Sequence, residues 1–182
     1  MLLYRLPSLL LIACLGFTPL AATADSRGEI DARVREALQE LYKTSSAAKD
    51  LGAKAHGMLV FPRIFKGGIG IGGEYGEGAL LTGAHTAGYY NIAAASIGLQ
   101  LGVQKKSVVI MLMNDESLKK FRNSEGWKVG VDGSVAFATL GVGEQIDTET
   151  LQKPIIGWVF SNKGLMYNLT LEGAKISKLD KK

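Results

Sequence analysis

The sequence predicts an α+β fold in which N-terminal helices pack on a largely antiparallel, glycine-rich β-sheet that could curl into a barrel-like shape. Three observations support this prediction. An apolar pattern with helical spacing comes early in the chain, alternating strand patterns fill most of the remaining sequence, and no repeat or internal linker interrupts them. With 182 residues the chain is long enough to bury its own core, so we predict one domain over residues 25–182.

The first 24 residues have the composition of an export leader. Arg5 supplies a positive charge, Leu9–Phe17 is mostly apolar, and Ala22-Thr23-Ala24 fits a cleavage site of small residues. Cleavage before Asp25 would deliver the protein to the periplasm or the cell envelope. A competing interpretation is that the residues ending at Cys14 form a lipoprotein signal, in which that cysteine is acylated.

Two helices are predicted after the leader. Ser26 and Glu29 have the spacing of a capping box at a helix start. An apolar stripe with helical spacing comes next, formed by Ile30, Val34, Ala37, Leu38 and Leu41. A second helix is predicted over Ser46–Ala55.

The position of these helices has two interpretations. Their apolar stripe could pack on the sheet, as in an ordinary globular domain. Alternatively the region could lie in a membrane interface, with Lys43, Lys49 and Lys54 on its polar side.

A glycine-rich stretch from Gly57 to Gly83 is the most distinctive part of the sequence. Between Gly68 and Leu81 most apolar residues fall on odd positions and most glycines on even ones. One face of such a strand is apolar and the other is almost bare backbone. Glycine inside a strand often marks the close approach of another backbone, so a larger side chain at Gly70 is predicted to destabilise the sheet.

The same stretch contains the spacing G-x-G-x-x-G at Gly68, Gly70 and Gly73. In dinucleotide-binding proteins this motif opens a helix. Here it is followed by Glu74-Tyr75-Gly76-Glu77-Gly78, which is a poor helix start. We therefore do not predict a nucleotide site.

Further strands and one helix are predicted along the remaining chain. Asp115–Arg122 fits a short helix capped by Asn114. Val108–Met113 is apolar throughout, as expected of a central strand covered on both faces. A short last strand comes after Gly173. The other candidate strands are Gly68–Gly73, Gly78–Thr82, Tyr89–Ala95, Ser96–Gln104, Trp127–Val131, Ser134–Leu140, Ile155–Ser161 and Leu165–Leu171.

Catalytic chemistry is not predicted. Cys14 is the only cysteine, so the chain after the leader offers no disulfide, thiolate nucleophile or cysteine metal site. His56 and His85 do not form a metal-binding motif. Glu74 and Glu77 lie three residues apart in a strand, so they should face opposite sides and could not act on one atom. No enzyme activity, cofactor or metal is therefore expected.

Several blocks of the sequence, in order, resemble one known family. The segments GMLVFP, KGGIGIGGEYGEGALL, SIGLQLGVQKKSVVIMLMN and SNKGLMYNLTLEGAKI are similar to parts of the SYLF domain. The similarity extends over roughly Ala47–Ile176. It implies a lipid-binding module, and some eukaryotic members of that family also bind actin.

Basic residues concentrate in one segment. The chain has a formal net charge of +4, and residues 43–66 carry five basic side chains against Asp50 alone. Such a segment suits an anionic partner. A phosphate headgroup also binds exposed backbone N–H groups, which glycine allows to approach closely. The family resemblance implies phosphoinositide-type headgroups, and the predicted lipid-binding residues are Lys43, Lys49, Lys54, Arg63, Lys66, Gly67 and Gly68.

The functional prediction is therefore non-enzymatic binding of anionic phospholipid at a bacterial cell envelope. The alternative is a structural or protein-interaction module of the periplasm, comparable to the actin-binding members of the family. No particular protein partner is predicted. Nucleic acid is not expected as a partner, because no platform of aromatic and basic residues is visible and because the leader indicates export.

Overall fold

The structure is a computed structural model that describes residues 25–140, 149–163, 171 and 173–181. At positions 68–71, 96–103 and 162–163 the description is limited to the backbone. The leader, the cleavage site before Asp25 and nearly all of the predicted strand Leu165–Leu171 lie outside the described residues.

The chain begins with two helices, which are followed by a long hairpin. A third helix and four shorter strands come after the hairpin. The helices are α1 (Arg27–Thr44), α2 (Ser46–Gly52) and α3 (Asp115–Arg122), with one 3-10 turn at Thr150–Gln152. The strands are β1 (Gly57–Thr82), β2 (His85–Leu112), β3 (Trp127–Lys128), β4 (Ala136–Thr139), β5 (Ile155–Lys163) and β6 (Lys175–Leu179).

The first helix begins at the predicted capping box. Glu29 N donates to Ser26 Oγ at 3.3 Å, and Ser26 N donates to the Glu29 carboxylate at 2.8 Å. The buried side of α1 packs on the sheet around Trp158 and consists of Ile30, Val34, Ala37 and Leu41. The structure therefore shows the helix packed on the sheet, with its apolar stripe covered.

The second helix is shorter than predicted. Ser45 Oγ accepts from Ala48 N at 3.1 Å at its start, but the helix ends at Gly52 rather than Ala55. Glycine is a poor helix former. A Cβ at Gly52 would also lie 2.3 Å from the Tyr42 hydroxyl oxygen, so close packing of α1 against this point favours glycine there.

A single antiparallel hairpin replaces the separate strands predicted between positions 57 and 112. Its register runs from Gly57 opposite Leu112 to Thr82 opposite His85. The connecting turn contains Gly83 with φ +59°, a conformation that glycine adopts without strain.

The proline at position 62 does not interrupt β1. Pro62 lies in a bulge between Phe61 and Ile64, where it is not required to donate a hydrogen bond to the ladder. Its carbonyl accepts from Ser107 Oγ at 2.8 Å. The strand therefore passes through the proline.

The hairpin doubles over, and each half of β2 leads into a different part of one curled sheet. Residues 105–112 of β2 pair with β5, which pairs with β4, whereas residues 89–93 pair with β6, which pairs with β3. Among the described strands only the β4–β5 pairing is parallel. The predicted α+β fold with a largely antiparallel sheet is confirmed.

Apolar side chains form two cores, one on each face of the sheet. Inside the curl lie residues such as Leu59, Phe61 and Ile110, and on the helix side lie Val60 and Val109. The strand predicted at 108–113 alternates between the two cores, which confirms that it is covered on both faces. Among the described residues no helix is both long and apolar enough to cross a bilayer.

The two ends of the described chain meet. Lys181 Nζ donates to the Asp25 carbonyl at 2.9 Å and to the Glu77 carboxylate at 2.6 Å. Arg27 in turn donates to the Lys181 carbonyl. These contacts fix the start of α1 beside β6.

Candidate functional site

Three charged side chains lie inside the doubled hairpin. Lys66 and Glu74 on β1 and Lys106 on β2 are 5%, 7% and 1% exposed, respectively. The Glu74 carboxylate is 3.2 Å from Lys66 Nζ and 2.8 Å from Lys106 Nζ. We call these residues the internal charge cluster. Its carboxylate joins two segments that the hairpin bend brings face to face.

The internal charge cluster contains two basic groups and one acidic group. Burial lowers the pKa of Lys106, and the Lys66 charge lowers it further, whereas the hydrogen bond and charge of Glu74 raise it. The Glu74 carboxylate therefore offsets part of the free-energy cost of burying a protonated Lys106.

The predicted lipid-binding residue Lys66 is buried in the structure. Its side chain points into the sheet towards Glu74. Gly67 comes next on β1 with open space where a Cβ would be, and Gly68 pairs with Gly102 in the ladder. The ammonium of Lys66 is therefore withheld from the surface in this arrangement.

The expectation that Glu74 and Glu77 do not share a site is confirmed. Glu74 enters the internal charge cluster, whereas Glu77 accepts from Tyr75 Oη at 2.9 Å and pairs with Lys181 at the chain end. The two carboxylates therefore have separate structural partners.

Three of the predicted lysines are exposed and lie at or near the ends of the first two helices. Lys43 lies in the last turn of α1, Lys49 in the last turn of α2, and Lys54 just after α2. None of them forms an ion pair with a described residue. We call Lys43, Lys49 and Lys54 the lysine corner.

Arg63 occupies a separate position on β1. It lines a pocket of about 140 Å³ between α1 and the sheet, together with Arg33, Lys105, Glu36 and Glu40. The pocket therefore contains both signs of charge, with basic groups in the majority. The sequence prediction missed Arg33 and Lys105, because only the packing of α1 and the strand register bring them to Arg63.

An exposed aromatic side chain accompanies this basic group. Phe65 is 51% exposed and pairs across the ladder with Lys105, two residues after Arg63. Tyr75, on the same strand beyond the bend, is 47% exposed. The apolar face predicted for this strand is therefore only partly covered by protein.

A second groove of about 280 Å³ lies between α3 and the turn after β3. Trp127 and Ile155 contribute to its walls, and Lys120, Lys153, Glu116 and Asp132 line it as well. Because the two signs of charge are balanced, this groove does not select an anionic partner.

Metal-ligating side chains do not gather in the described ranges. No group of three or more His, Cys, Asp or Glu residues is close enough there to hold a metal ion. His56 Nδ1 lies 2.7 Å from the Asp115 carboxylate in an exposed pair, which is consistent with a surface contact at the start of α3.

Comparison with known proteins identifies the family. The family model described as "Ysc84: Las17-binding protein actin regulator" matches residues 93–182. None of the curated proteins compared with the chain matches it. The matched part runs from the middle of β2 to the chain end and includes α3 with its groove. The resemblance seen in the sequence is confirmed over residues 93–182, which belong to the Ysc84/SYLF domain family, a family of binding modules associated with lipid and actin.

Proposed function

We propose that the protein binds anionic phospholipid membranes at the cell envelope and that it has no catalytic activity. The observation that carries this proposal is the lysine corner, whose three ammonium groups have no carboxylate partner among the described residues. Their charge is therefore free to attract an anionic surface. The association of the family with lipid supports the same conclusion.

Arg63 provides a second basic contact in this proposal. Together with Lys105 it adds positive charge next to the exposed Phe65. Lys66 is held inside the fold by Glu74, so a headgroup could reach its ammonium group only if the internal charge cluster opened. The proposal places direct headgroup contact on Lys43, Lys49, Lys54 and Arg63.

Charge reversal in the lysine corner tests the proposal. Each basic residue near an anionic surface contributes about 1 kcal/mol. The triple change Lys43→Glu, Lys49→Glu and Lys54→Glu alters the local charge by six units, so flotation with phosphatidylglycerol vesicles is expected to weaken at least a hundredfold. Binding of the parent should also weaken with salt, because exposed charges are screened within about 8 Å at physiological ionic strength.

A matched control changes the same net charge elsewhere. Lys119, Lys128 and Lys153 are exposed lysines in the other half of the chain, and their replacement by Glu should cost far less binding. Equal losses in the two variants would assign the effect to net charge alone and remove the lysine corner from the proposal.

Export through the leader is part of the proposal. If residues 1–24 are removed as the Ala22-Thr23-Ala24 pattern predicts, intact mass spectrometry of the exported protein should give a chain that starts at Asp25. A diacylated N-terminal Cys14 would instead show an anchored lipoprotein, and an uncleaved chain would contradict export.

A protein-interaction module is the second candidate function. It is favoured by the position of the family match, because residues 93–182 exclude the lysine corner and include the groove beside α3. If the parent protein binds none of the anionic vesicles tested, protein interaction becomes the better-supported function.

A further inference from the structure

The groove beside α3 combines an apolar floor with a charged rim. Trp127 and Ile155 are buried beneath it, and Pro154 adds further apolar surface. Its volume of about 280 Å³ is large enough for a small organic molecule. Small-molecule sites in proteins are typically concave and largely apolar, with a few polar groups that fix the orientation of the ligand. The groove has this construction.

Gly133 keeps the floor of the groove open. An added Cβ at this position would lie 2.8 Å from Trp127 Cζ2 and 2.9 Å from Ile155 Cδ1. Both distances are shorter than ordinary contacts between carbon atoms, so any side chain at position 133 would fill the space between the turn and the indole. Because the residue is glycine, the edge of the Trp127 ring faces the groove.

The four charged residues of the groove are not equally available to a ligand. Lys120 Nζ lies 2.8 Å from the carboxylate of Glu116, one helical turn away on α3, so these two charges largely neutralise each other. Asp132 accepts from the Lys128 backbone N–H at 2.6 Å through one carboxylate oxygen. Neither Asp132 nor Lys153 forms an ion pair with a described residue. One acid and one base therefore remain for a ligand.

We propose that this groove binds a small apolar zwitterion, namely a free amino acid with an apolar side chain. Its carboxylate would contact Lys153, its ammonium group Asp132, and its side chain the floor formed by Trp127 and Ile155. A ligand with one charge of each sign matches the two remaining charges. The flexible stem of Lys153 lets its ammonium group adjust to the spacing of the ligand charges. None of these residues is assigned to membrane contact, so the inference is independent of the proposed function.

The indole N–H signals of the two tryptophans provide the measurement and its internal control. In a nitrogen–proton correlation spectrum, titration with L-phenylalanine should move the Trp127 signal, because Gly133 faces the ring carbons next to its Nε1. Trp158 is fully buried in the core beneath α1 and should keep its position. For a ligand of this size we expect a dissociation constant of about 1 mM.

Blocked ligands and single substitutions identify the two charge contacts. N-acetyl-L-phenylalanine has no ammonium group and L-phenylalaninamide has no carboxylate, so each should bind the parent about tenfold more weakly. In Lys153→Met the amide should bind as tightly as the free amino acid, and in Asp132→Asn the acetyl derivative should do so. Asparagine keeps an acceptor for the Lys128 N–H, so Asp132→Asn should also retain the thermal midpoint of the parent.

Lys128→Met is the matched control. It removes an exposed lysine next to the turn, but the residues that line the groove do not include Lys128. This variant should therefore bind all three ligands as the parent does. If it weakens the binding of L-phenylalanine as much as Lys153→Met, general charge is responsible and the assigned contact is wrong.

The remaining outcomes each contradict the inference in a different way. If none of the three ligands moves the Trp127 signal, the groove does not bind this class of molecule. If the acetyl derivative binds the parent as tightly as L-phenylalanine, only a carboxylate is recognised, and the groove fits the C-terminus of a protein instead. If the amide binds as tightly, only an amine is recognised, and a protein N-terminus becomes the better occupant.

Discussion

Replacing Glu74 by glutamine is expected to destabilise the protein by about 3–5 kcal/mol, because it leaves two buried ammonium groups without a carboxylate. Lys66 and Lys106 are 5% and 1% exposed, so water cannot take over the role of Glu74. Chemical denaturation at pH 7 should show the loss as a lower midpoint.

The pH dependence of this loss has a defined sign. Without Glu74, burial and the Lys66 charge still lower the pKa of Lys106, and the two opposing effects of Glu74 are gone. Between that lowered pKa and the ordinary value of 10.5, the unfolded chain binds more protons than the folded one. Stability of Glu74→Gln should therefore increase as the pH rises through this window.

Lys106→Met is the matched control for this prediction. It leaves Lys66 and Glu74 as a neutral pair and replaces a buried ammonium by an apolar group of similar length, so stability should change little or increase. If this variant loses as much stability as Glu74→Gln, the hairpin halves are not held together by the charge balance of the internal charge cluster.

A side chain at Gly78 should be at least as damaging. An added Cβ would lie 2.0 Å from the Val60 carbonyl oxygen and 2.8 Å from a ring carbon of Phe61. Because the first obstacle is backbone, the two halves of β1 must move apart. Gly78→Ala is therefore expected to cost several times the ~1 kcal/mol typical of point substitutions, measured as a lower thermal midpoint.

Gly67→Ala on the same strand is the control. A Cβ there meets no atom within 4 Å, so its effect should stay within about 0.5 kcal/mol. Equal stability of the Gly78 and Gly67 variants would show that the glycine face does not approach another backbone. The predicted sensitivity of Gly70 lies at a position where only the backbone is described.

Local patterns in the sequence were sufficient to predict where α1 and α3 begin. The Ser26–Glu29 capping box and the Asn114 cap of α3 depend on residues three positions apart, and both form as predicted. Alternation also assigned the glycine face correctly near Gly78. These features are set by residues close together in sequence, so the sequence alone is sufficient to predict them.

The positions of the site residues depend on strand register and on the bend of the hairpin. Local sequence patterns do not reveal either of these. Lys66 was predicted to bind a headgroup together with Gly67 and Gly68, whereas the bend turns its side chain towards Glu74. Lys105 and Phe65 are 40 positions apart and meet only through the β1–β2 ladder. The continuity of β1 through the bulge at Pro62 was not predicted, because a proline normally ends a strand.

The turn at Gly83 has a consequence for the order in which the molecule assembles. It joins strands of 26 and 28 residues, so every rung of their ladder can form by zipping outward from one short loop, with little additional loop-closure entropy. In this order of assembly, Lys66 and Glu74 reach their buried positions after the ladder has passed both of them and folded back. The charges are then dehydrated at a late step, when the surrounding strands already hold the carboxylate in place.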